Sequence, residues 1–252
     1  FMMSFVADSR IHRASFLIFI LLVSTTTTGT LLHVLALDAS GASAAVRRAE
    51  GEVDVLLGVE ADDVLGTLAI RAANEGIQTV IATGDKDMAQ LVSDHVTLIN
   101  TMNDTRMDRD GVIEKFGIPP ELVIDLLALM GDSSDSIAGV PGIGAKTARE
   151  LLSHYPDIDA IMEHLDQLQD LPVRGAKKLA DRLDAHRDQL FLSRQLATIV
   201  TDVDEAPGLQ EIGWQGIYQD AFELFCDEMG FGTAFTGRAN QLKQRNQSTL
   251  TR

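Results

Sequence analysis

Several short apolar runs in this chain stop at a carboxylate, and that pattern narrows the folds open to it. Ser4-Phe5-Val6-Ala7 leads to Asp8, and Leu31–Leu37 leads to Asp38. Val53–Leu57 leads through Gly58 to Glu60, and Thr79-Val80-Ile81-Ala82 leads through Thr83-Gly84 to Asp85. Strand-like runs separated by helical stretches at 60–75 and 86–92 predict an α/β unit with a largely parallel sheet. Such sheets bind ligands at the carboxyl ends of their strands, which is where these acids fall. Val96–Asn100 reads as a further strand.

Beyond Gly117 the periodicity turns helical. Pro119-Pro120 opens a helix over Glu121–Met130, and Gly131 stops it. Gly139-Val140-Pro141-Gly142-Ile143-Gly144 is a tight turn ahead of a helix over Ala145–His154. Helical segments continue over Ile158–Leu168 and Gly175–Ala197, and the stretch from Glu205 ends in a polar tail at 240–252.

The formal charge of −16 argues against long-range electrostatic attraction to nucleic acid, so contacts with phosphate would have to be local. Most of the charge is concentrated: residues 50–135 hold eighteen acidic and five basic groups. An apolar content of 45% is enough for a sizeable core. A lone cysteine, Cys226, allows no internal disulfide and suits a reducing compartment; it sits in a helical-looking run that suggests a packed thiol. The apolar run Phe16–Val23 is too short to cross a bilayer and only weakly imitates a signal peptide. A buried helix followed by the strand Leu31–Leu37 is expected there, in a cytoplasmic, nucleoid-associated protein.

Three acidic motifs carry the chemistry. Gly58-Val59-Glu60-Ala61-Asp62-Asp63-Val64 crowds three carboxylates into four residues, which is costly unless cations neutralise them. Thr83-Gly84-Asp85-Lys86-Asp87-Met88 follows a strand, and Met130-Gly131-Asp132-Ser133-Ser134-Asp135-Ser136 follows a helix. Each alone reads equally well as a helix start or a capped turn. Together they form a hard-oxygen set suited to Mg²⁺ or Mn²⁺. The glycine turn adds a fourth element: its backbone can approach a phosphate closely, and the next helix points its amides at the anion. Such a contact needs no particular base.

These four motifs, in this order over residues 58–203, closely resemble the 5′–3′ exonuclease domain of bacterial DNA polymerase I and its flap-endonuclease relatives. The resemblance implies a PIN-like, mostly parallel sheet with helices on both faces, and a helix–three-turn–helix module that holds duplex DNA. Domains would span 1–116 (nuclease core), 117–204 (helical module) and 205–252 (C-terminal helices and tail). It implies two Mg²⁺ or Mn²⁺ ions, with a K⁺ ion at the helical hairpin. By motif, Glu60, Asp62 and Asp63 would serve one metal, and Asp85, Asp87, Asp132 and Asp135 the second. Asp8, in Asp8-Ser9 followed by Arg13-Ala14, and Asp38, in Asp38-Ala39-Ser40-Gly41, match the two metal-site aspartates of the family's first strands. Gly142, Gly144, Lys146 and Arg149 would contact duplex phosphates.

One departure stands out. Only 21 residues, 39–59, separate Asp38 from Glu60, with Arg47 and Arg48 as their basic groups. The family places a long basic helical arch here, so the arch is absent and cleavage is expected to be weakened. The expected activity is structure-selective, metal-dependent hydrolysis of DNA near a 5′ end or flap, by a monomer acting in replication and repair beside a DNA polymerase. An activity-impaired remnant that only grips branched duplex is one alternative. A haloacid-dehalogenase-like phosphatase is a distant one, because Asp85-Lys86-Asp87 and Gly131–Asp135 loosely imitate its motifs.

Overall fold

The computed structural model describes residues 59–100, 103–173 and 175–212, Gly237, and the backbone of strands at 20–23, 31–34, 43–47 and 53–57. Asp8, Asp38, Gly58, Cys226 and the tail at 240–252 lie outside the described residues. The chain divides into two compact units, one made of 1–61 with 205–252 and the other of 62–204.

The first unit contains two antiparallel hairpins. β1 (Ile20–Val23) pairs with β2 (Leu31–Val34), and β3 (Ser43–Arg47) pairs with β4 (Val53–Leu57). The expected helix at 16–23 is therefore corrected to a strand over its last four residues. A short, uninterrupted apolar run carries no 3.6-residue period, and Ile20 and Val23 are β-branched, which favours extended backbone. The short segment between Asp38 and Glu60 holds the β3–β4 hairpin.

In the second unit, β5 (Thr79–Ala82) runs parallel to β6 (Val96–Asn100), and β7 (Thr105–Met107) closes the edge antiparallel to β6. The described sheet is thus mixed, with one parallel pair. α1 (Ala61–Asn74) buries Val64, Leu65, Leu68, Ala69 and Ala72, the stripe expected of an amphipathic helix. α2 (Arg109–Phe116) lies outside the helices expected from the sequence, although both of its ends are signposted. Asp108 caps it by accepting from Gly111 N at 3.0 Å, and Gly117 leaves it in the left-handed conformation, φ 74°.

The helical half follows the expected segments closely. A 3₁₀ turn at Pro120–Leu122 leads into α3 (Val123–Met130), which is almost wholly buried. α4 (Ala145–His154), α5 (Ile158–Glu163), α6 (Leu179–Ala185) and α7 (Arg187–Ala197) follow, the last two split at His186. α4 and α7 pack on α3. The 3%-exposed Asp125 of α3 accepts from Ile158 N at 3.0 Å and pairs with Arg194 Nε at 2.8 Å, so one carboxylate joins α3, α5 and α7.

The segment leaving α7 is laced onto α1. Val200 N donates to Asp63 Oδ1 at 2.8 Å, Val203 N to Thr67 Oγ1 at 3.1 Å, and Arg71 Nη2 to Val203 O at 3.0 Å. The approach is close enough that a Cβ on Gly66 would lie 2.7 Å from Ile199 Cγ2. Gln90 ties the same segment to the turn after β5, donating to Ala197 O and accepting from Ile199 N, both at 2.9 Å. No helix among the described residues is long and apolar enough to cross a membrane.

Candidate metal centre

Two turns, one following β5 and one following α3, supply the acids that meet. In the first, Asp85 N donates to Thr83 Oγ1 at 2.9 Å, and Asp87 N donates to Asp85 Oδ1 at 2.8 Å. Asp87 then opens a 3₁₀ turn over Asp87–Leu91. This local bonding turns the backbone sharply at the strand end.

The second turn is held by a short bridge. Asp132 N donates to Ile137 O at 2.9 Å, and Ile137 N returns a bond to Asp132 O at 2.8 Å. Ser134 N donates to Asp132 Oδ1 at 2.9 Å. Gly131 (φ 79°) starts the turn with its backbone against Gly139, and a Cβ on Gly139 would lie 2.3 Å from Gly131 N. Only glycines allow the two backbones to come so near.

Carboxylate oxygens of Asp87, Asp132 and Asp135 all lie within 4.8 Å of one another. Burial, followed by the charges of Asp85, Asp135 and Asp132, pushes the Asp87 carboxyl up to about 7. Asp135 is raised by burial and by Asp132 and Asp85. Burial also acts upward on Asp132, but hydrogen bonds from Lys86 and Ser134 outweigh it and hold that carboxyl below its ordinary value. Lys86 pairs with Asp132 Oδ2 and donates to Ser134 Oγ at 2.9 Å. Two oxygens of these residues are buried: Asp132 Oδ2, which faces the Lys86 ammonium, and Asp87 Oδ1, which has no hydrogen-bond partner. A buried, partnerless carboxylate oxygen facing other carboxylates is the donor chemistry that a hard divalent cation satisfies.

Asp85 stands beside the group, near enough for its charge to raise Asp87 and Asp135. Asp62 and Asp63 lie in the first turn of α1, outside the three-carboxylate group, and one Asp63 oxygen is taken by Val200 N. Glu60 belongs to the first unit and is exposed. Asp8 and Asp38 lie outside the described residues.

In the glycine turn, Gly142 has φ 78°, and its carbonyl accepts from Arg182 Nη1 at 3.1 Å. Gly144 opens α4 with φ −102°, no side-chain cap, and nothing within 4 Å of an added Cβ. Lys146 and Arg149 are exposed, and Arg149 Nε donates to Ala145 O at 3.1 Å. Sequence reasoning missed Lys86 and Arg182 as members of these two sites. Lys86 could have been found, because it sits between the two acids of its own motif.

Two family models cover this arrangement: the 5′-3′ exonuclease N-terminal resolvase-like domain matches residues 36–117, and the 5′-3′ exonuclease C-terminal SAM fold matches 118–220. The chain belongs to the 5′-3′ exonuclease family. That assignment sets aside the dehalogenase-like alternative. Among relatives of this exonuclease-family chain, DNA polymerase I of Pseudomonas aeruginosa is 57% identical over 148 residues, which are 58% of this chain and 16% of that protein. A 5′-3′ exonuclease of Buchnera aphidicola subsp. Schizaphis graminum is 45% identical over 148 residues, 59% of this chain and 52% of that protein. The chain therefore spans about half the length of the one relative and a small part of the other. Among solved structures, T5 5′-exonuclease with bound zinc superposes with a TM-score of 0.51 at 24% identity, over 74% of this chain and 60% of that one. This likeness shows the fold.

Proposed function

We propose that this exonuclease-family chain hydrolyses DNA phosphodiesters near a 5′ end or flap junction, using divalent metal. The convergence of Asp87 with Asp132 and Asp135, from turns more than forty residues apart, carries the reading. Asp87, Asp132 and Asp135 would hold one Mg²⁺ or Mn²⁺, with Asp85 adding charge beside them. A second ion would fall to the acids of the α1 start, Asp62 and Asp63. The chemistry supplied by such ions when bound is a lowered pKa for the attacking water and charge neutralisation at the leaving oxygen.

The chain's own part is positioning. The uncapped start of α4 offers backbone amides to a phosphate, and Lys146 and Arg149 stand exposed on its first turns. Duplex held there would be gripped through its backbone, without sequence preference. A K⁺ ion at this hairpin remains part of the proposal, although Gly142 O there already accepts from Arg182. The same reading puts the protein to work as a monomer on DNA in the cytoplasm, beside a DNA polymerase.

Gly144→Val tests the grip cleanly. The backbone there suits a β-branched residue and a Cβ has open space, so folding should be unchanged. Duplex affinity should nevertheless fall, because the side chain stands where a phosphate must come close, and Lys146→Ala should lower it less. Equal affinity of wild type and Gly144→Val in a fluorescence-anisotropy titration would remove the turn from the interface.

The activity itself is tested by single-turnover cutting of a 5′-labelled flap, and of the same flap blocked at its end, with Mg²⁺ or Mn²⁺ against EDTA. The short 39–59 segment leaves no long basic arch to order the 5′ strand, and a misplacement of about 1 Å can cost on the order of 100-fold. The expected result is slow, metal-dependent cutting of both substrates. Retained duplex binding with no cutting in either metal would favour a gripping module, the reading that the short segment also suits.

A further inference from the structure

The metal-centre acids already have a cation, and it belongs to the chain. Lys86 lies between Asp85 and Asp87, where its backbone (φ −78°, ψ −25°) starts the 3₁₀ turn. Its side chain crosses to the facing turn, pairing with Asp132 Oδ2 and donating to Ser134 Oγ at 2.9 Å, 48 residues away. Asp132 is 4% exposed there and the lysine 33%, so the ammonium covers the carboxylate from the solvent side. Among the described residues no other basic side chain pairs with Asp85, Asp87, Asp132 or Asp135.

We infer that Lys86 is a tethered counter-ion that occupies the Asp132 side of the centre in the metal-free protein and must give way when a divalent ion binds. The inference rests on reading the site as a divalent-metal centre. Its physical basis is competition for one set of oxygens. Asp132 belongs to the three-carboxylate group, and its Oδ2 is the lysine's partner. A divalent ion using that oxygen must break the ion pair and then sit beside a displaced positive charge, both of which oppose binding. The lysine also offsets the mutual repulsion of acids that would otherwise face one another unscreened. Ser134 Oγ is the natural second resting place, since Lys86 already touches it and it carries no charge. Lys86 thus sets the metal concentration at which the centre fills, and it holds the turns together below that concentration.

The test needs no DNA. Mn²⁺ is titrated calorimetrically into the purified full chain as wild type, Lys86→Met and Lys86→Gln, the last keeping a polar end for Ser134. Both variants should bind Mn²⁺ more tightly, by about tenfold, a modest share of what a unit charge a few ångströms away can exert. In EDTA both should melt at a lower temperature than wild type, and saturating Mn²⁺ should close that gap. Unchanged or weaker Mn²⁺ affinity in a folded Lys86→Gln protein would overturn the counter-ion role while leaving the metal centre standing. No Mn²⁺ uptake by any of the three proteins would overturn the metal-centre reading, and this inference with it.

Discussion

Asp87→Asn is expected to lower flap cleavage on the order of 1,000-fold or more, while raising the melting temperature of the metal-free protein. The two effects have one origin. Asp87 puts a buried oxygen with no hydrogen-bond partner among other acids, and burial with those charges raises its carboxyl to about 7. Such a group is held for a ligand and disfavours the fold without one. The pH dependence follows with a definite sign. Between the ordinary aspartate value of 3.8 and about 7, the folded chain keeps a proton on Asp87 that the unfolded chain has released. Stability from this group is therefore full below about 4 and lost as pH rises through about 7. In EDTA the wild-type melting temperature should fall over that window, and in Asp87→Asn the fall should be much smaller. Saturating Mn²⁺ should remove the wild-type slope by favouring the ionised form. Calorimetric melts at steps from pH 4.5 to 8, with single-turnover cutting at pH 7.5, check both parts. An Asp87→Asn protein that cuts like wild type would take this carboxylate out of the reaction.

The second large effect is on the fold. Gly139→Ala should destabilise the protein by about 3–5 kcal/mol, near the top of what one substitution does. Its Cβ would lie 2.3 Å from both Gly131 N and Met130 C and 2.5 Å from Met130 O, all of them backbone atoms that cannot turn aside. Relief requires moving the end of α3 or the start of the glycine turn. The first carries Asp132 and the second leads into α4, so metal and duplex affinity should both fall in whatever remains folded. Gly144→Ala, at the other end of the same turn with open space around an added Cβ, is the control and should change stability by less than about 1 kcal/mol. Urea melts of the two variants decide the matter, and a wild-type midpoint for Gly139→Ala would show that the two backbones are not in contact.

The centre is legible in the sequence to the extent that its chemistry is local. Asp87, Asp132 and Asp135 can be picked out because each sits in a turn directly after an apolar element, and such turns point their acids at the ends of a sheet or helix. The helical boundaries at Gly131, Ala145 and His154 follow from glycine and proline chemistry that acts within one or two residues. What stays hidden depends on partners far along the chain. Nothing near Asp63 announces that Val200, 137 residues later, will take its oxygen, nor does anything near Gln90 announce Ile199. The strand at Ile20–Val23 looks helical in the sequence because a short apolar run has no period to distinguish the two. α2 is hidden in the sequence because its polar face outweighs a single buried residue, Val112. Its caps, Asp108 and Gly117, are the better guide.

The lacing of residues 198–203 onto α1 and Gln90 also dictates when this unit can mature during synthesis. A chain emerging from the ribosome exposes α1, β5 and the Asp87 turn early, yet the bonds that fix them come from Ala197, Ile199, Val200 and Val203. Until residue 203 has left the exit tunnel, the turn bearing Asp87 lacks its anchor, and the apolar side of α1 lacks the segment that covers Gly66. Contacts this distant in sequence close late and slowly. The nascent protein therefore passes through a stage in which its acids have been made but not yet gathered.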